Sequence, residues 1–337
     1  MQAQPSRFIF GSIPWYSVLI VLGIVLALLL AQKEANRKHM PKDCMLDIAL
    51  LIVPAGIVGA RLYYVLFQLP YYLVNPLQIF AVWNGGLAIY GAVIAGALAV
   101  VLWCKYKRIS VLQSVDCIAP GLVLAQAIGR WGNFFNQEAF GRAVTNHSLQ
   151  FFPYAVYIAP QGYFMATFFY ESLWNVLVFI CLWHFRKSQK RDGSIFLLYI
   201  GLYSAGRAFI EGLRSDSLYF IGLRVSQILS VLFIVCVLLV FAYQSKNKKA
   251  YFVVALFLLG ILSVFWNLIY LAVPAMALFA NLLFRLYKKG SNIAFVCIVA
   301  SILCLLLQYT ELALLLFLLC SAWSIILMYK GVQTCEI

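Results

Sequence analysis

The 337-residue chain is short of charge, of acid and of histidine. Charged residues make up 11%, Asp and Glu together number 11, and there are three histidines. A water-soluble domain carries roughly a quarter charged residues, so this composition, 64% hydrophobic, excludes one. His39, His147 and His184 lie far apart and none falls mid-span, which leaves a His-based metal site or a Ser-His-Asp triad without its parts. No Gly-rich phosphate loop occurs. The nine cysteines include no CxxC pair, and all fall in apolar stretches or at their basic ends. They read as small buried hydrophobes, so neither disulfides, a metal nor a cofactor is expected.

Long apolar runs are what the chain has in excess. A membrane span needs about 20 mostly apolar residues. About eleven such stretches occur, centred near residues 23, 57, 95, 120, 176, 202, 233, 260, 279, 300 and 320. An all-α polytopic membrane protein is therefore expected. The first stretch starts near Pro14, has its basic flank behind it and lacks a small-residue cleavage site, so it is expected to be a retained span.

The net charge of +14 raises the question of nucleic acid, and the placement of the charges answers it. Lys and Arg gather at Lys33–Lys42, Lys105–Arg108, Arg186–Arg191, Lys246–Lys249 and Arg285–Lys289, in every second connection. Together with Lys330 these clusters hold 18 of the 25 basic residues. This is the positive-inside pattern, which predicts an external N-terminus and a cytoplasmic C-terminus. Beyond Lys249 the character changes to short connections and few ionisable groups. Residues 1–249 are expected to be the chemical module and residues 250–337 an appended bundle of about four spans.

The other seven basic residues are all arginine, and six of them lie in or beside spans toward the external side: Arg61, Arg130, Arg142, Arg207, Arg214 and Arg224. An arginine within a bilayer is costly and ordinarily faces a cavity or a partner. Six on one side favour a functional site over structural pairing. In the segment YSAGRAFIEGLR, residues 203–214, Arg207 and Glu211 stand at i, i+4, and Arg214 is expected on the same helical face. Alone, that spacing suits an intrahelical salt bridge. Arg130 has no carboxylate at i±4 on its own segment. Asp116 and Glu171 read as structural partners inside the bundle, and Arg61 either as that or as a further headgroup contact. Gly85, Gly86 and Gly91, with Tyr90 among them, suit close backbone approach by a helix or by a lipid headgroup. Residues 70–84 are uncharged, aromatic and carry two prolines, as an interfacial segment would.

The residues alone thus reach a class: a membrane-embedded site, open to the outer leaflet, for an anionic, phosphate-bearing lipid. A transporter of an anionic solute or a non-catalytic lipid-binding scaffold would use similar parts. A transporter predicts polar residues through the full depth of several spans and an internal repeat. Here they concentrate on one side, with no repeat.

The stretch GRWGNFFNQEAFGR, residues 129–142, goes further. It resembles the signature of the bacterial prolipoprotein diacylglyceryl transferases, Gly-Arg-x-Gly-Asn-Phe-x-Asn-x-Glu-x-x-Gly. Gly129, Arg130, Gly132, Asn133, Phe134, Asn136, Glu138 and Gly141 meet every fixed position. PWYS, GARLYYVLF, NGGLAIYG, Asp116, GRAFIEGLR and LRVSQILS follow in the family's order, and the resemblance covers roughly residues 10–243.

The resemblance implies a seven-span core in the bacterial cytoplasmic membrane, with its active site toward the outer leaflet. It implies transfer of the diacylglyceryl group of phosphatidylglycerol to the lipobox cysteine thiol of a prolipoprotein, releasing glycerol phosphate. It makes Arg130, Arg207, Tyr90 and Glu211 candidate catalytic residues. Arg130, Asn133, Asn136, Glu138, Gly141, Arg214 and Arg61 become candidate headgroup contacts, with Asn133, Asn136 and Glu138 also bracing Arg130. Many members carry histidine where this chain has Tyr90. A phenol, with an ordinary pKa of about 10, is a poor base, so Tyr90 is expected to orient phosphate or thiol. The family ends soon after its seventh span, so residues 250–337 fall outside the resemblance.

Overall fold

The computed structural model describes residues 6–215, 219–220, 223–245, 251, 254, 322–323, 325–330 and 332–333. Eight α-helices occur among them: α1 Trp15–Arg37, α2 Cys44–Phe67, α3 Leu69–Val74, α4 Ile89–Lys107, α5 Val111–Asn136, α6 Thr167–Phe185, α7 Ser194–Leu213 and α8 Val225–Gln244. Three two-stranded antiparallel ribbons complete them: β1 Phe8–Ile9 with β2 Ile13–Pro14, β3 Ala155–Ile158 with β4 Gly162–Met165, and β5 Tyr219–Phe220 with β6 Leu223–Arg224. Six of the described helices, α1, α2, α4, α5, α6 and α8, are long and apolar enough to cross a membrane. α7 falls outside that set because Arg207 and Glu211 stand in its C-terminal half. The expected stretches centred near 260, 279 and 300 lie outside the described residues, as does most of the one near 320.

The chain divides into two compact units, residues 24–122 and residues 1–23 with 123–337. In the first, α2 packs on α4 at a crossing of glycines. A Cβ on Gly59 would lie 2.6 Å from the Gly91 carbonyl oxygen and would collide with Ala95. Only hydrogen side chains permit that approach. Close helix packing is therefore what Gly91 serves. At the basic end, Cys44, Cys104 and Cys117 are buried with Met45, Ile48 and Trp103. They are free thiols acting as core hydrophobes, as their composition suggested. Lys38 pairs there with Asp116 at 3.3 Å, the carboxylate fully buried.

Residues 69–84 form α3 and two 3₁₀ turns, Pro76–Phe80 and Val82–Asn84, with Leu73, Val74, Leu77 and Phe80 exposed. One side chain ties this segment down. Arg61, 6% exposed, donates Nε–H to Ile79 O at 2.9 Å, Nη1–H to Gly85 O and Gly86 O at 2.7 and 3.0 Å, and Nη2–H to Gln78 O and Ala81 O at 2.5 and 3.3 Å. Gly85 and Gly86 supply two of these carbonyls because both adopt positive φ, +84° and +72°, open to glycine without strain. All five guanidinium N–H groups are engaged, which leaves none for a headgroup. Arg61 braces this loop.

In the second unit α6, α7 and α8 pack side by side. Gly206 on α7 lies against the Trp174 indole of α6, whose N–H donates to Leu202 O at 2.9 Å. α5 is stitched to α6 by Trp131 N–H donating to the Ser172 hydroxyl at 3.1 Å, and by that hydroxyl donating to Ala127 O at 2.9 Å. The helical residues 325–330 also belong here. Ile325 and Tyr329 are fully buried, Tyr329 against Phe185 and Phe241.

Candidate active site

The C-terminal ends of α5 and α7 and the N-terminal end of α6 bring together charges far apart in sequence. α5 carries Arg130, α6 carries Glu171, and α7 carries Arg207 and Glu211. Glu171 is the one acid in α6, and each of its oxygens takes a different arginine. Oε1 lies 2.5 Å from Arg130 Nη2 and Oε2 lies 3.3 Å from Arg207 Nη1. The other terminal nitrogen of Arg207 meets Glu211 Oε2 at 2.6 Å, one turn along α7. The carboxylates are deeply buried, with side chains 4% and 2% exposed, while Arg130 and Arg207 keep 24% and 18%. The acids are thus buried while the two arginine side chains stay partly exposed. Tyr203, one turn before Arg207 on α7, lies beside Arg130, Arg207 and Glu171.

Burying ions demands compensation, and here each carboxylate is ion-paired with a guanidinium. Two arginines and two glutamates make the network neutral as a set. A partly open pair of planar forks is suited to a two-oxygen anion such as phosphate.

The signature continues this surface. α5 ends at Asn136, after which Gln137 and Ala139 adopt positive φ and turn the chain sharply. Glu138 Oε1 accepts from the Asn133 and Asn136 amides at 3.0 and 3.2 Å, so acid and amides hold one another. The brace of Arg130 is Glu171, in place of the expected Asn133–Asn136–Glu138 group. Gly141 is a packing residue. Its N–H donates to Met165 O at 2.9 Å, and a Cβ would lie 2.8 Å from Met165 Cβ and Thr167 Cγ2 and 3.0 Å from Leu213 O. Gly132 likewise makes room for the Tyr16 ring at the start of α1.

Arg142 and Arg224 serve the C-terminus of α7. Arg142 Nη2–H donates to Gly212 O at 2.9 Å, and Arg224 donates to Glu211 O while its Nε–H reaches the Tyr219 hydroxyl at 3.1 Å. Cations at the unpaired carbonyls of a helix end are stabilising. Arg214 follows the last residue of α7 with extended backbone, φ −76° and ψ 149°, and bridges to Gly141. It therefore leaves the helical face expected to join it to Arg207 and Glu211. Tyr90, in the first turn of α4 and 37% exposed, has its ring 6.4 Å from that of Tyr63. It belongs to the unit of residues 24–122.

Glu171 was legible only as a structural pair. The signal that singles it out is its isolation, one carboxylate in an otherwise apolar span. Among the described residues no group of three or more His, Cys, Asp or Glu is arranged to hold a metal.

Residues 6–243 match the family model described as prolipoprotein diacylglyceryl transferase. A Streptococcus equi subsp. equi protein is 45% identical over 252 residues, 73% of this chain and 96% of the relative. A Streptococcus pneumoniae protein is 47% identical over 249 residues, 72% and 94% of the two chains. A Streptococcus agalactiae protein is 45% identical over 241 residues, 70% and 93%. Each of these relatives is named phosphatidylglycerol–prolipoprotein diacylglyceryl transferase.

Proposed function

The chain belongs to the prolipoprotein diacylglyceryl transferase family, and from that membership we infer the reaction that its arginine network serves. It is an enzyme that transfers the diacylglyceryl group of phosphatidylglycerol to the cysteine thiol of a prolipoprotein, with glycerol phosphate as the other product. The sulfur attacks the diacylglycerol carbon that bears the phosphodiester. The carbon–oxygen bond breaks with its electrons going to the phosphate, and the thiol proton is lost. A new thioether joins lipid to cysteine.

Arg130 and Arg207 bind that phosphate and neutralise the charge that grows on it as the bond breaks. The observation that carries this assignment is their convergence on Glu171, with both arginine side chains partly exposed. Glu211 orients Arg207 by an ion pair at 2.6 Å. Asn133, Asn136 and Glu138 form a mutually bonded polar edge that contacts the glycerol headgroup, with Arg214 beside it. Gly141 shapes the turn that carries them. Tyr90 orients phosphate or thiol.

The finer architecture belongs to the same proposal. α7 completes the seven spans and is sixth in chain order, its Glu211 sheltered at 2% exposure by its neighbours. Residues 1–249 form the transferase core and residues 250–337 an additional membrane bundle of about four spans. The alternating basic connections support an external N-terminus, a site toward the outer leaflet and residence in the bacterial cytoplasmic membrane. The protein substrate is a signal peptide with a lipobox cysteine.

The test uses purified protein, phosphatidylglycerol and a lipobox peptide, following glycerol phosphate. Release should depend on the peptide cysteine and fall at least about 100-fold in Arg130→Ala, as loss of an electrostatic stabiliser does. Folded wild-type protein that binds phosphatidylglycerol and releases nothing would sink the proposal.

A further inference from the structure

Glu171 braces Arg130, and its part in the reaction goes further. It is 3% exposed, and among the described residues it alone is ion-paired with both arginines, Arg130 from α5 at 2.5 Å and Arg207 from α7 at 3.3 Å. A carboxylate presents two oxygens on one edge, and so does a phosphodiester. The spacing at which Glu171 holds the two guanidiniums is therefore close to the spacing a phosphate needs to engage both.

Charge gives a second argument. Among these four side chains Arg130 and Arg207 are balanced by Glu171 and Glu211, so the ion-paired arginines themselves offer a phosphodiester no surplus charge. A clamp with surplus positive charge would hold the lipid and the departing glycerol phosphate as firmly as the transition state. Such uniform binding does not accelerate the chemical step, and it slows product release. A balanced clamp leaves its arginines to respond to charge that appears only as the carbon–oxygen bond breaks.

We propose that Glu171 is a positioning residue that sets the spacing of the Arg130–Arg207 clamp and balances its charge, keeping the hold on phosphate weak before and after reaction. The proposal rests on the reading of the two arginines as the phosphate clamp. It differs from a simple strut between helices, because a strut would leave anion affinity alone.

Two variants separate the possibilities. Glu171→Gln keeps the length and one acceptor oxygen but removes the charge, and Glu171→Asp keeps the charge on a shorter arm. Full-length wild type and both variants, in detergent, are titrated with glycerol phosphate by calorimetry. They are also assayed for kcat and KM with phosphatidylglycerol and a lipobox peptide, with melting temperatures taken alongside. Glu171→Gln should bind glycerol phosphate about tenfold more tightly, a change expected from one uncompensated charge at a partly open site. It should show correspondingly stronger product inhibition and a lower kcat without a rise in KM. Glu171→Asp should keep wild-type affinity for glycerol phosphate while losing kcat through misplaced guanidiniums. Wild-type or weaker affinity in Glu171→Gln overturns the proposal, whatever happens to kcat. The titration needs no turnover, so absence of glycerol phosphate release from wild type would strike the proposed reaction and leave the charge-balance result separately readable.

Discussion

Arg61 and Arg130 are the same side chain put to different tasks, and the partner decides which. Arg61 donates all five N–H groups to carbonyls of residues 78–86, so its donors are exhausted by the loop it braces. Arg130 meets a carboxylate shared with Arg207 and keeps 24% of its side chain open. Sequence reading grouped six arginines as one converging set. The structure separates them into the Arg130–Arg207 pair, the caps Arg142 and Arg224, the brace Arg61, and Arg214 at the bridge to Gly141. Spacing along a chain reveals intrahelical pairs such as Arg207–Glu211, but it carries no record of which carbonyls a guanidinium will meet. A measurable consequence follows for Arg61→Lys. Lysine offers three donors from one point in place of a five-donor fork, and each lost hydrogen bond costs about 1 kcal/mol net. Several degrees should be lost from the melting temperature in detergent, with KM for phosphatidylglycerol unchanged in the folded fraction. A raised KM at wild-type stability would return Arg61 to the headgroup.

The helices themselves were the most legible elements, because a run of apolar residues long enough to span is a local property. The stretches centred near 23, 57, 95, 120, 176, 202 and 233 each contain a helix of the structure. α7 shows where hydropathy stops being sufficient. Arg207 and Glu211 lower its apolar content, yet both belong to an ion network that neighbouring helices shelter. The β3–β4 hairpin was not foreseen within the long connection of residues 129–166. Its strands are four residues each, too short for alternation to stand out between prolines and glycines. The α2–α4 crossing makes the sharpest prediction at this scale. Gly59→Val would drive a branched side chain against Ala95 and the Gly91 carbonyl. Overpacking of that kind costs about 1–3 kcal/mol or more where backbone cannot move. Cysteine-free full-length protein is not needed to see it: a lowered melting temperature and reduced yield of folded protein in detergent should suffice. Wild-type stability in that variant would mean that the two helices pack less closely than described.

For the whole molecule, the family match over residues 6–243 and the buried contacts of residues 325–330 pull toward different conclusions about where the enzyme ends. Ile325 packs beside Gly201 and Val237, the Gln333 amide oxygen accepts the Lys190 N–H at 2.5 Å, and Tyr329 is fully buried. Lys190 and Phe185 lie at the basic end of α6, away in the chain from Glu171, and Gly201 lies on the half of α7 that precedes Arg207. A chain truncated after Ser245 should therefore melt at a lower temperature, having lost apolar burial worth roughly 25 cal/mol per Å². Its folded fraction should still release glycerol phosphate at close to the full-length rate. Loss of turnover from a well-folded truncation would show that the terminal bundle belongs to the catalytic module.

Hydropathy, the alternation of basic connections and the 13-position pattern from Gly129 to Gly141 are all carried by continuous segments, so the sequence by itself determined a multi-pass membrane protein of this family. The partners within the site are another matter. Glu171 stands 36 residues before Arg207 and on a different helix from both arginines, so only the packing of α5, α6 and α7 could select it over Glu138. An ion pair forms where backbones bring charges within a few ångströms, and that proximity is a property of the folded chain alone.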